Sequence, residues 1–398
     1  MLNEKIRAIA HSVYADRNNT SKGSGLLGGY AGAALFFAYL TIACPEGPYE
    51  AITLEYLEKM SDALADRQLP HHLSNGIAGI AFVFQHLRNI GLLNSSEDIG
   101  LGALDESIIN GAEQDFTTGN WDPLHGLVGL GIYFLERYKE TGEHKNLERI
   151  VDQLHALAIT GKGGKVWVTP GLRHYSGDNY NFGMAHGMPG LLSFLAGVYP
   201  LGIRRRMIEE LIPSCCTFLS DHYQEEGKFY GFPASIELKP ESRALPSRHG
   251  WCYGDLGMAM ALIHCGKALS RKDWVLLGAR IALKTTHIPF EAARCDDASF
   301  CHGAIGLVHQ YNRLYRSTQE TRLKVAADKW LTLMNEHYYS PDSYPGGYAC
   351  KQYDKATGSY RNLPCYGLLE GISGIGLVLL SCDGSIQPDW DIIFQTNI

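Results

Sequence analysis

The sequence predicts an all-α fold: a closed ring of seven helical hairpins, with short β and loop insertions at the rim. Three observations predict it. A Gly-x-x-Gly element occurs seven times along 398 residues. Each opens an apolar run of helical length, and the stretches between are charged and amphipathic. Hydrophobic residues make up 45% of the chain and charged residues 19%, enough apolar surface for a large core.

The elements come in order. Gly29-Tyr-Ala-Gly32 leads into AALFFAYL, and Gly76-Ile-Ala-Gly79 into IAFVFQHL. Gly126-Leu-Val-Gly129 is third, and Gly187-Met-Pro-Gly190 precedes LLSFLAGV. Gly254-Asp-Leu-Gly257 precedes MAMALIHC, Gly303-Ala-Ile-Gly306 is sixth, and Gly371-Ile-Ser-Gly374 leads into IGLVLLS. Apolar on every side, these runs read as buried helices. LERIVDQLHALAI and TRLKVAADKWLTLMNEHY, between them, read as outer amphipathic helices.

Successive first glycines stand 47, 50, 61, 67, 49 and 68 residues apart, room for two ordinary helices and their connections. Seven such hairpins place seven apolar helices inside and seven amphipathic ones outside. A closed ring hides both ends and needs no polar capping repeat, so residues 1–398 are expected to form one domain. The glycines serve packing. No Lys-Ser/Thr follows them, so they do not form a phosphate loop. Two of the longer stretches, 161–171 and 227–233, read as turns and short strands that shape a peptide-binding mouth.

Composition excludes several classes. A net charge of −7 argues against nucleic-acid binding, which asks for a basic face. The start MLNEKIRAIAHSVYADRNNT has no secretory pattern, and no apolar run reaches the length of a membrane span. The expectation is a cytoplasmic protein, with room for a peripheral visit to the inner face of the membrane. Ten cysteines in a chain of this length and kind do not suggest a disulfide framework.

Aligning the repeats on their first glycine exposes the chemistry. Cys252 stands two positions before Gly254, and Cys301 two before Gly303, with His302 between Cys301 and the glycine. His186 immediately precedes Gly187; Asp122 lies four before Gly126, and His125 one before it. Equivalent positions of a repeat ring lie at one end of it, so these groups gather at one mouth. Two thiols and an imidazole form a three-ligand zinc set that leaves the fourth position open, which makes the site catalytic in kind. The rival reading is that both cysteines are ordinary buried thiols. His249 and His125 are alternatives to His302, though neither joins a matching register to an adjacent cysteine.

With these motifs in view, the chain resembles the lanthionine synthetase C-like family, and within it the stand-alone bacterial lantibiotic cyclases. The resemblance spans the seven repeats. It is most specific in Ser247-Arg-His-Gly-Trp-Cys-Tyr-Gly254 and Cys301-His-Gly303, supported by Ala185-His-Gly187 and Leu368-Leu-Glu-Gly371. It implies a double α-barrel, or α/α toroid, with zinc on Cys252, Cys301 and His302. It also implies that His186, Asp122, Arg248 and Tyr253 surround the metal.

The implied activity joins peptide cysteine thiols to dehydroalanine or dehydrobutyrine, forming thioether rings in a lanthipeptide precursor. Arg248, and less directly Tyr253, would stabilise the enolate. His186 would protonate the α-carbon, oriented by Asp122. Implied partners are the dehydrated precursor with its leader peptide, and a dehydratase and exporter. Alternatives are a relative that adds or binds glutathione, a prenyltransferase-like α-toroid with another ligand set and six repeats, and a non-catalytic peptide-binding toroid.

Overall fold

A computed structural model describes every residue except 1, 20–22, 67, 95–98, 162–163, 172–176, 226–228 and 239–242. Among the described residues fourteen α-helices follow in seven odd–even pairs. The first four pairs are α1 (Glu4–Ala15) and α2 (Tyr30–Ala43), α3 (Tyr49–Asp66) and α4 (Ile77–Asn89), α5 (Leu101–Thr118) and α6 (Leu127–Thr141), and α7 (Lys145–Leu157) and α8 (Met188–Val198). The last three are α9 (Arg205–Asp221) and α10 (Asp255–Ala268), α11 (Lys272–Thr285) and α12 (Ala304–Thr318), and α13 (Thr321–Tyr338) and α14 (Ile372–Cys382). Each even-numbered helix begins right after the first glycine of a Gly-x-x-Gly element. None of these helices is long and apolar enough to cross a membrane.

The two helix kinds differ as their sequences dictate. In α2 every residue from Ala31 to Leu40 is buried, so no face is left for water. In α7 the buried residues are Leu147, Ile150, Val151, Gln153 and Leu154, one stripe at helical spacing.

Close contacts group the chain into two compact units. One gathers Met1–Ile108, Asp296–His309 and Ala327–Trp390; the other gathers Ile109–Cys295, Gln310–Ala326 and Asp391–Ile398. Short strands fall in the long connections. β1 (Ile159–Gly161) pairs antiparallel with β2 (Gly164–Val166). β3 (Asn179–Asn181), β4 (Ser235–Glu237) and β5 (Ala244–Leu245) form an antiparallel sheet in that order. β6 (Lys351–Asp354) and β7 (Ser359–Asn362) form a hairpin that the repeat pattern did not announce. Of the expected mouth segments, 161–171 contributes to β1 and β2, although 162 and 163 lie outside the described residues. Gly227 and Lys228 also lie outside them, and 229–233 is irregular rather than strand.

The Gly-x-x-Gly element has a physical cause. Six of the even-numbered helices lack a side-chain N-cap, so main chain satisfies their first N–H groups. Tyr30 N donates to Gly23 O (3.1 Å), Ile77 N to Pro70 O (2.8 Å), Leu127 N to Asn120 O (3.1 Å) and Ala304 N to Asp297 O (3.0 Å), always seven residues back. The loop that delivers these carbonyls folds over the helix start. A Cβ at Gly29 or Gly76 would stand 2.0 Å from the carbonyl oxygen of Gly23 or Pro70, and one at Gly306 2.0 Å from that of Phe300. Each of these oxygens lies six residues back.

These loops bond to one another through one register position. In the first unit, Leu368 N and Leu369 N donate to Leu27 O, Leu27 N donates to Ser74 O, and Phe300 N and Cys301 N donate to Leu369 O. Leu27, Ser74, Cys301 and Leu369 all stand two residues before a first glycine. In the second unit, Ala185 N donates to Cys252 O at 3.4 Å, again between two such positions.

Candidate metal centre

Cys252 and Cys301 therefore occupy rungs of a main-chain relay, where neighbouring turns hold backbone position tightly. The Cys252 turn is fixed from several sides. Trp251 donates its indole N–H to Phe394 O at 2.8 Å and packs edge-on against the Phe394 ring. Gly254 has φ of +133°, a conformation that favours glycine, as the chain swings from Cys252 into α10. Asp255, the first residue of α10, accepts N–H groups from Gly231 (2.7 Å) and Phe232 (3.2 Å). It is fully buried, and burial pushes its carboxyl up to about 6 against the pull of those two N–H groups and Lys284.

The Cys301 turn hangs on Asp297, also fully buried. One Asp297 oxygen accepts from Ser299 N (3.0 Å) and Ser299 Oγ (2.8 Å), the other from Lys351 N (2.7 Å) at the start of β6. Nothing in the repeat alignment marks Asp297, Asp255 or Phe394 as supports, because Lys351, Gly231 and Trp251, which they hold, are distant from them in sequence.

The two cysteine Sγ atoms and an imidazole nitrogen of His302 lie within 4.8 Å of one another. Cys252 is buried, and Cys301 and His302 are half-buried. Two thiols and an imidazole at this spacing make a sulfur and nitrogen donor set suited to zinc, and three protein ligands leave one position for another molecule. No disulfide links the ten cysteines.

His186 and Asp122 form a second pair. His186 Nδ1 lies 2.8 Å from Asp122 Oδ2, while Asp122 Oδ1 accepts from Leu124 N (2.8 Å) and His125 N (2.9 Å). One carboxylate thus caps its own turn and orients an imidazole 64 residues away. Burial alone would raise the Asp122 carboxyl. The charge and hydrogen bond of His186, then His125 and the Leu124 N–H, outweigh burial and bring it down to about 2. The His125 ring stacks on His186 with centroids 5.9 Å apart and planes 13° from parallel.

The remaining expected residues are placed as follows. The half-buried Arg248 guanidinium has no hydrogen-bond or ion-pair partner among the described residues, and its charge is felt at Tyr230. The Tyr253 ring lies over Gly183, and its hydroxyl accepts from Asn181 Nδ2 at 3.4 Å. His249 turns into the core, where its Nε2 meets the Tyr311 hydroxyl at 3.0 Å.

The chain as a whole resembles known proteins. A family model of lanthionine synthetase C-like proteins matches residues 20–395. The nisin biosynthesis protein NisC of Lactococcus lactis subsp. lactis is 25% identical over 335 residues, covering 79% of this chain and 74% of the relative. The solved structure of a nisin cyclase superposes with a TM-score of 0.77 at 20% identity, over 98% of this chain and 97% of the other. That match assigns the helical pairs to the α/α toroid fold.

Proposed function

The chain belongs to the lanthionine synthetase C-like family, and we propose that it is a zinc-dependent cyclase closing thioether rings in a dehydrated lanthipeptide precursor. The observation that carries the metal is the convergence of Cys252, Cys301 and His302, two thiols and an imidazole on one point. We read residues 1–398 as one catalytic domain, supported by a structural match along nearly the whole chain. In this reading the enzyme works in the cytoplasm on a leader-bearing peptide, beside a dehydratase that makes its substrate and an exporter that removes its product.

Zinc on these three ligands would leave its fourth position to a peptide thiol and bring that thiol's pKa from about 8.5 into the neutral range. The chain's own residues do the rest. The sulfur forms a bond to the β-carbon of dehydroalanine or dehydrobutyrine while the C=C electron pair moves onto the adjacent carbonyl as an enolate. Arg248, a half-buried cation with no protein partner among the described residues, meets that charge. Tyr253 adds a hydroxyl already steadied by Asn181. His186 returns a proton to the α-carbon. Asp122 holds its Nδ1, which leaves Nε2 to carry the transferable proton.

Two variants test the assignment. Cys301→Ala should lose stoichiometric zinc and ring formation together; zinc retained in it, by metal analysis, would end its role as a ligand. His186→Asn should keep zinc yet lose about 10²-fold or more in cyclisation rate, the usual worth of a positioned acid. Full activity in that variant would remove the proton donor. Running both assays with and without glutathione separates ring closure from glutathione addition.

A further inference from the structure

His249 stands beside Arg248, and the chemistry above gives it no task. No side chain or main-chain group among the described residues holds the Arg248 guanidinium. Its place is therefore set by the main chain that carries it. Arginine has a long side chain with much rotamer freedom, so looseness in that main chain would add to its spread.

The main chain is gripped on both sides of Arg248, within the second unit. Ser247 O, just before it, accepts from Arg294 Nη1 at 3.0 Å. His249 N, just after it, donates to Ala293 O at 3.0 Å. Arg294 has φ of +55°, a conformation uncommon outside glycine that persists where the surroundings enforce it. The Tyr230 hydroxyl, at which the Arg248 charge is felt, donates to Ala292 O. Three successive residues, Ala292, Ala293 and Arg294, thus tie this segment down.

A buried chain of hydrogen bonds anchors the other end. His249 Nε2 lies 3.0 Å from the Tyr311 hydroxyl, which lies 2.8 Å from Thr285 Oγ1. Thr285 Oγ1 donates to Ala282 O at 2.7 Å, a carbonyl of α11. That single proton fixes the direction of the whole chain. With it spent, Thr285 can only accept from Tyr311, and the phenolic oxygen is left to accept from a protonated Nε2 of His249. His249, Tyr311 and Thr285 are each no more than 1% exposed, so water cannot replace a lost partner.

We propose that His249, Tyr311 and Arg294 are positioning residues for Arg248, holding its main chain so that the guanidinium meets the enolate charge. The proposal rests on the reading of Arg248 as the cation for that charge, and adds the device that aims it. Aim matters because a displacement of about 1 Å at a reacting centre can cost about 10²-fold in rate.

The test is a double-mutant cycle on cyclisation, with zinc content measured alongside. The substrate is a short peptide with one cysteine and one dehydroalanine. Arg248→Ala should lower kcat by about 10²-fold or more at unchanged zinc, as loss of an oxyanion donor does. Tyr311→Phe keeps the ring but removes the acceptor for His249; kcat should fall about tenfold with KM unchanged. Arg294 is exposed, so Arg294→Met frees Ser247 O without repacking the core, and a few-fold loss of kcat is expected. In an Arg248→Ala background neither change should cost anything further, because its effect passes through the guanidinium. A network that serves stability alone would slow both backgrounds equally. Equal losses in the two backgrounds, or full kcat in both Tyr311→Phe and Arg294→Met, overturn the positioning and leave Arg248 its role. A full rate in Arg248→Ala overturns that role, and the positioning with it.

Discussion

Asp255 shows how one buried carboxyl can leave a mark on solution behaviour. Its folded value of about 6 stands above its ordinary 3.8. Between those values the folded protein holds a proton that the unfolded chain has released, so stability falls as pH rises from about 4 through 6. The difference between those two values corresponds to about 3 kcal/mol for a fully buried group. Asp255→Asn keeps an acceptor for the Gly231 and Phe232 N–H groups but cannot titrate. Denaturant unfolding of this variant should show a smaller slope over that pH window than the parent; identical slopes would mean that Asp255 does not titrate as its burial requires. Asp122 pulls the other way. Held at about 2, it contributes stability above its ordinary value that is lost as pH falls below about 4.

At the scale of the element, the repeated helix start can be tested with one pair of substitutions. Helix propensity alone says that alanine stabilises a helical glycine position by up to about 1 kcal/mol. At Gly197 in α8, the nearest atom to an added Cβ is Leu135 Cδ1 at 3.6 Å, an ordinary contact, so Gly197→Ala should stabilise. At Gly306 the same atom would stand 2.0 Å from Phe300 O, a backbone atom beside Cys301. Gly306→Ala should therefore destabilise by about 1–3 kcal/mol and reduce zinc content as well, because the Cys301 turn must move. Opposite signs in a thermal or denaturant melt support the account; stabilisation at both sites would refute it.

This element was readable in the sequence because a fixed register repeats. The glycines mark where each apolar helix starts, and residues one, two and four before them fall on equivalent turns. Cys252, Cys301, His186 and Asp122 could be picked out on that ground alone. What the register could not carry is contact between segments far apart. Trp251 meets Phe394 across 143 residues, Asp297 meets Lys351 across 54, and Asp255 meets Gly231 across 24. The β6–β7 hairpin was missed for a related reason: every residue of its strands is exposed or half-buried, so no buried apolar alternation announces them.

For the molecule as a whole, the consequence to test is linkage between metal and stability. Cys252 and Cys301 are separated by a whole hairpin, and their approach within 4.8 Å belongs to the folded chain alone. A ligand that binds the folded state and not the unfolded one stabilises it by about 2.7 kcal/mol at a hundredfold excess over its dissociation constant. For a protein of this size that is a rise of a few degrees in Tm. Protein stripped with a chelator should melt lower and regain its Tm on zinc addition, with the increment growing with the logarithm of free zinc. Cys301→Ala should melt at one temperature with or without zinc, because its remaining pair binds too weakly to matter. The same increment in that variant would show that the stabilising ion sits elsewhere. No increment in the parent would mean that the convergence of the three side chains does not hold a metal at all.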